Sequence, residues 1–316
     1  MTTHFANYQD LVSEFKYCST LNEANEFFSA EARQQLPDLI DSPEKLVSFF
    51  SMVRGFYSEK FMTELIQTLD TRITQFANTA KTMTQLLTLD YETDHGDCIN
   101  LFYGRFKDHL STVIQNANDF VMVAKSIPNK NASADFVTMM WQRLIKDLIV
   151  DSKSFFEINH LLNKHEKKAL ISEIWERIPT FIHTTDDLIN VLSSLPTGKQ
   201  SALFNSLDSK LQRSLIMDIS REDFERLFTA ANDSLLQHTL LSLLGDHLNK
   251  YIDNAHSYVL LYRRLSDSNK SNLDVNKIFD NMDLSKFTHI FNLTSSRPIN
   301  FKIEYVKDFI INFYHV

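Results

Sequence analysis

The chain has 316 residues, 43% of them apolar, and a formal net charge of −8 spread without a long block of one sign. That balance disfavours nonspecific nucleic-acid binding, which depends on clustered lysine and arginine neutralising phosphates. Five glycines argue against tight hairpins and phosphate-cradling loops, and two distant cysteines, Cys18 and Cys98, exclude a disulfide-stapled secreted module and suit a reducing cytosol.

No uncharged apolar run approaches the roughly 18 residues of a membrane span. The N-terminus MTTHFANYQDLVSEF lacks a basic start followed by an apolar stretch, so no Sec signal peptide is expected. Residues 1–40 carry an amphipathic pattern around Phe27, Phe28 and Leu36 and read as an N-terminal helical cap. From Ser42 onward a serine, threonine or aspartate cap and a large apolar anchor recur together. The anchors are Leu46, Met83, Phe120, Phe155, Leu188, Phe224 and Tyr258, separated by 37, 37, 35, 33, 36 and 34 residues. A period of that length is the signature of stacked supersecondary units.

Ser42-Pro43-Glu44 places proline at the first helical position of the first unit. The Met83 unit contains the polar stretch Asp90, Glu92, Asp94, His95, Asp97. It begins like a calcium loop but has glycine at position 7 and Leu101 at position 12, where a bidentate glutamate belongs. The expectation is a polar loop capping the next helix. Cys98, followed by Ile99, Leu101 and Phe102, reads as a buried small hydrophobe.

Residues 184–216 form the clearest unit. Thr184 with Asp187 opens a helix bearing Leu188, Val191, Leu192 and Leu195, and Pro196 with Gly198 stops it. A second helix carries Leu203, Phe204, Leu207 and Leu211 toward Leu215 and Ile216. A shift of 33 residues lays Phe155, Ile158, Leu162, Leu170, Ile171, Ile174, Ile178 and Ile182 on apolar positions of that unit. A shift of 68 lays Ser126-Ile127-Pro128 on Ser194-Leu195-Pro196, and Ser220 with Asp223 repeats the Thr184 cap. The Tyr258 unit ends in a loose segment, Ser266 to Asn276, and residues 284–316 read as a C-terminal helical cap. The expected fold is all-α: a right-handed-type α-solenoid of about seven helical-hairpin repeats of 33–37 residues, spanning 41–283 between its caps.

No residue is assigned to catalysis and no metal or cofactor is expected. Glu157 with His160 is a single copy of a pair that di-iron bundles need twice. His165-Glu166 lacks the second histidine of HExxH, and no phosphate loop or nucleophile elbow is present. The binding candidates are Trp141 and Trp175, the only tryptophans, the basic spot Arg263-Arg264, and a ladder of second-helix positions outside the apolar stripe: Gln200, Asn205, Asp208 and Lys210. Lys164 to Lys168 (KHEKK) is a further basic spot.

The cadence of residues 151–258, in segments such as IHTTDDLINVLSSLP and IQNANDFVMVAKSIP, resembles helical-repeat proteins of intracellular gammaproteobacteria of the Legionella and Coxiella kind. That resemblance implies an effector delivered by type IV secretion into a host cytosol. The leading reading is a non-enzymatic solenoid that recognises a host protein along one extended face, with its oligomeric state left open. Two other readings are an active site between a terminal region and one end of the array, around His289 and Asn292 or Asp94 and His95, and peripheral membrane association through FKIEYVKDFIINFYHV.

Overall fold

A computed structural model describes residues 4–56, 58–92, 98–99, 101–252 and 255–270. The expected C-terminal cap, His289, Asn292, Asp94, His95 and the side chains of Cys98 and Tyr258 lie outside the described residues. The fold is all-α. The departure among the described residues is an antiparallel pair of two-residue strands, β1 (Tyr91–Glu92) and β2 (Cys98–Ile99), within the polar stretch after Met83. Those residues fall into two compact units: the first runs to Ile149 and includes Leu161–Asn163, and the second comprises Val150–His160 and continues from Lys164.

The first unit contains α1 (Tyr8–Phe15), α2 (Leu21–Phe27), α3 (Ala30–Leu39), α4 (Pro43–Val53), α5 (Glu59–Thr68), α6 (Asp70–Phe76), α7 (Ala80–Leu87), α8 (Leu101–Val113), α9 (Ala117–Ser126) and α10 (Lys130–Arg143). The second contains α11 (Ser152–Leu161, less its last residue), α12 (Lys164–Ile174), α13 (Thr185–Ser194), α14 (Thr197–Ser206), α15 (Ser209–Ile216), α16 (Arg221–Ala230), α17 (Ser234–Leu244), α18 (Ala255–Arg264) and α19 (Asp267–Lys270). Helix α10 runs on into a π-turn at Leu144–Leu148, and α12 and α17 into 3-10 turns at Trp175–Phe181 and Gly245–Lys250.

The period seen in the sequence reappears as a structural register. Each of the seven anchors is the fourth residue of its helix, in α4, α7, α9, α11, α13, α16 and α18. Four residues before an anchor, Ser42, Thr79, Asn116, Asp151, Thr184 and Ser220 each accept a hydrogen bond from the backbone N–H three positions on. The cap satisfies one of the four donors that a helix start leaves orphaned, and stabilises it by roughly 1 kcal/mol. One turn later the anchor is buried: Leu46, Met83, Phe120, Phe155, Leu188 and Phe224 are at most 3% exposed. Burial of each such side chain contributes about 1.5–3 kcal/mol.

Within the first unit these anchor helices pack side by side, α4 on α7 and α7 on α9, and the second arms do likewise, α5 on α8 and α8 on α10. A chain of phenylalanine rings fills its N-terminal part. Phe15 touches Phe27, Phe28 and Phe56; Phe28 touches Phe49; Phe49 touches Phe50; and Phe50 meets Phe102 edge-on at 5.0 Å. Edge-to-face pairs of this kind add about 0.5–1.5 kcal/mol beyond their burial.

The polar stretch after Met83 does cap the next helix. Both Asp90 oxygens accept backbone hydrogen bonds, from Phe102 at 2.9 Å and Tyr103 at 3.1 Å, at the start of α8. Burial nevertheless pushes its carboxyl up to about 6, against the pull of those N–H groups.

In the second unit α13 packs on α16 and α16 on α18, while α14 packs on the Trp175–Phe181 turn and on α17. The overlay at a shift of 33 holds at the level of burial for seven of its eight pairs: Phe155, Ile158, Leu162, Leu170, Ile171, Ile174, Ile178 and Ile182 are buried, as are Leu188, Val191, Leu195, Leu203, Phe204, Leu207 and Leu215, but Leu211, the counterpart of Ile178, is not.

Three local expectations are corrected. The second arm of 184–216 is two helices, because the Asp208 carboxylate accepts from the N–H groups of Lys210 and Leu211 and opens α15 there; Leu211 is then only half-buried. Gly198 lies inside α14 and stops nothing, Pro196 being the residue just before that helix. The segment expected to be loose from Ser266 begins with the short helix α19.

Candidate binding surface

Helix ends leave carbonyls without partners, and the two units satisfy theirs differently. In the first, a donor on one arm reaches back to the preceding one. Arg72 Nε donates to Pro37 O at 2.6 Å and His109 Nε2 to Ala77 O at 3.2 Å; Arg143 donates to Ser111 O and, at 2.9 Å, to Ile114 O. In the second unit buried carboxamides reach forward. Asn159 Nδ2 donates to Ser194 O at 3.0 Å, Gln200 Nε2 to Ala230 O at 2.9 Å and Gln237 Nε2 to Arg264 O at 2.9 Å. The three acceptors close the successive anchor helices α13, α16 and α18. Side-chain hydrogen bonds that join distant segments cluster at separations of 27 to 40 residues, from Gln237–Arg264 to Arg226–Asp186.

This arrangement overturns one site expectation. Gln200 was expected to project from an outer ladder, but it is fully buried. Its Nε2 also donates to Leu192 O at 2.7 Å, and its Oε1 accepts from the N–H groups of Asn232 at 2.9 Å and Asp233 at 3.0 Å. A carboxamide has two donors and two acceptor sites, so Gln200 is saturated by the interior. It ties α14 to the ends of α13 and α16 and to the start of α17, and has nothing left for a ligand.

The other ladder positions stay on the surface. Asn205 and Lys210 are exposed, and Asp208 is exposed while it caps α15. Trp141 on α10 and Trp175 after α12 are half-buried, at the margin of the apolar stripe. Lys199 Nζ sits 4.6 Å from the centre of the Trp175 ring, a cation–π contact between α14 and the turn it packs against. Nothing in the spacing of the sequence pairs Lys199 with Trp175. Arg263 is exposed, whereas Arg264 is half-buried and donates to Glu225 O at 2.7 Å. Arg264 therefore belongs in part to the packing of α18 on α16.

Among the described residues no group of three or more histidine, cysteine, aspartate and glutamate side chains could hold a metal. Glu157 pairs with Lys153 at 4.0 Å, and His160 turns back to its own helix, with Nδ1 2.8 Å from Phe156 O and its ring against Phe156. No helix of the described residues is long and apolar enough to cross a membrane. The sequence matches no family model, and searches of curated proteins and of solved structures likewise returned no match.

Proposed function

We propose that this chain is a right-handed-type α-solenoid of about seven helical hairpins that recognises a partner protein through the outward faces of its second arms. One observation carries the reading. In the second unit buried carboxamides tie segments 27 to 35 residues apart, while Asn205, Asp208 and Lys210 of a second arm stay exposed. That nearest-neighbour economy is how solenoids generate extended binding faces. In the second unit the rungs of such a face are Asn205, Asp208 and Lys210; Trp175 lies at the end of the preceding second arm, and Arg263 is exposed on the anchor helix α18. The resemblance in cadence supplies a setting, a host cytosol reached by type IV secretion, and that setting rests on the resemblance alone.

The test is differential capture. The full chain and an Asn205→Arg/Lys210→Glu variant, matched for helicity by circular dichroism, are each used to draw partners from host lysate. A protein enriched by the native chain and lost with the variant is the expected result. Identical captures from both would remove this face from the proposal.

A further inference from the structure

Among the anchor helices of the second unit, α18 carries Arg263 and Arg264 and no carboxylate, whereas α11, α13 and α16 together carry three cations against six carboxylates. Their cations are engaged: Lys153 with Glu157, Arg226 with Asp186 at 2.6 Å and Asp223 at 3.0 Å, and Arg221 with Glu225 at 3.7 Å. The second arms, Lys164–Phe181 and Thr197–Ile216, invert that balance, with seven cations against four carboxylates. Among the described residues Lys164, Lys167, Lys168, Lys199, Lys210 and Arg213 have no carboxylate partner. Of the four acids, Asp208 is turned to its own helix start, Glu166 and Glu173 have partners, and Glu176 is exposed next to Trp175 in the chain. Lys199 has a defined place, its ammonium 4.6 Å from the centre of the Trp175 indole.

We propose that this arm face binds an acidic, extended segment of the partner protein, with Lys199 on Trp175 as its central contact. The inference rests on the protein-binding reading above and specifies its ligand chemistry. Cations without a carboxylate partner on a chain of net charge −8 attract carboxylates locally, while the acidic remainder repels a long polyanion. Trp175 is one of two tryptophans, so its emission reports occupancy directly.

The experiment titrates a short fluorescent polyglutamate peptide into the full chain and follows its anisotropy, with Trp175 emission read in a Trp141→Phe background. Saturable binding is expected, with Kd rising by about tenfold in Lys168→Glu/Lys199→Glu and again by about tenfold between about 50 and 300 mM salt, as screening predicts. The Trp175 emission should change in step. Three results overturn the proposal: affinity unchanged by the charge reversals, polylysine bound as well as polyglutamate, or single-stranded DNA bound more tightly than either. If none of the peptides binds while the Asn205→Arg/Lys210→Glu variant still loses a captured protein, the ladder stands and its acidic ligand falls.

Discussion

The two units solve the same problem with different chemistry. Each must satisfy the carbonyls at helix ends where one hairpin meets the next. The first unit uses Arg72, His109 and Arg143, long donors that are only partly buried and spaced 37 and 34 residues apart. The second uses Asn159, Gln200 and Gln237, all at most 2% exposed. A guanidinium keeps part of its charge in water, so its loss releases groups that solvent can reach. A buried carboxamide has no such reserve, and removing it strands donors and acceptors in the interior. The core differs in parallel. Linked phenylalanine rings fill the N-terminal part of the first unit, while leucine and isoleucine dominate the repeats of the second.

If the aromatic chain supports the first unit, its central ring is the place to break it. Phe28 is fully buried and meets Phe15, Phe27, Phe49 and Phe61. Phe28→Ala should cost about 3–5 kcal/mol in urea denaturation, with hydrogen-exchange protection lost in α1–α5 first. Protection lost equally along the chain would mean that the ring network has no special standing.

The carboxamides allow a finer comparison. Gln200→Leu should cost about 3 kcal/mol, since it strands Leu192 O, Ala230 O and two N–H groups. Asn159→Leu should cost less, about 1–2 kcal/mol, because Asn159 Oδ1 has no donor to lose. The reason is visible one hairpin on. Asn232 and Ser266, two residues past the stitched carbonyls of Ala230 and Arg264, donate to Gln200 and Gln237, but the corresponding residue past Ser194 is Pro196, which has no N–H. Equal costs at the two sites would refute this account of the stitch.

The smallest effect concerns pH. The Asp90 carboxyl ordinarily titrates near 3.8 and is raised to about 6 by burial in the folded chain. Its charged form is thus disfavoured by folding, so the group weakens the fold above pH 6 and the penalty is relieved as pH falls toward 4. Relative to Asp90→Asn, the native chain should gain about 1–3 kcal/mol between pH 7 and pH 4. A difference that is flat across this range would place Asp90 in water.

How much could be read in advance divides along physical lines. The helix starts at Pro43, Thr185 and Arg221 were legible because a cap and its N–H lie within four residues of each other, and the anchors because apolar spacing repeats whatever the neighbour is. The break at Asp208 was also local, but it was masked by the apolar run from Leu203 to Leu215, which continues through it. Gln200 could not be placed. A glutamine beside an apolar stripe looks the same whether it faces solvent or a neighbouring carbonyl, and only the α14–α17 packing puts Ala230 O within its reach.

Short-range chemistry therefore determined where helices begin and which side of each is apolar, since those choices are made within a turn or two of chain. Tertiary structure decided which polar groups are consumed and which remain outside. The sequence offered Gln200 and Lys199 as adjacent polar residues; packing made one an interior staple and set the other on Trp175. The physical reason is that a polar side chain's role depends on the groups brought to it from other parts of the chain, and no rule of spacing specifies their positions to within a hydrogen bond's length.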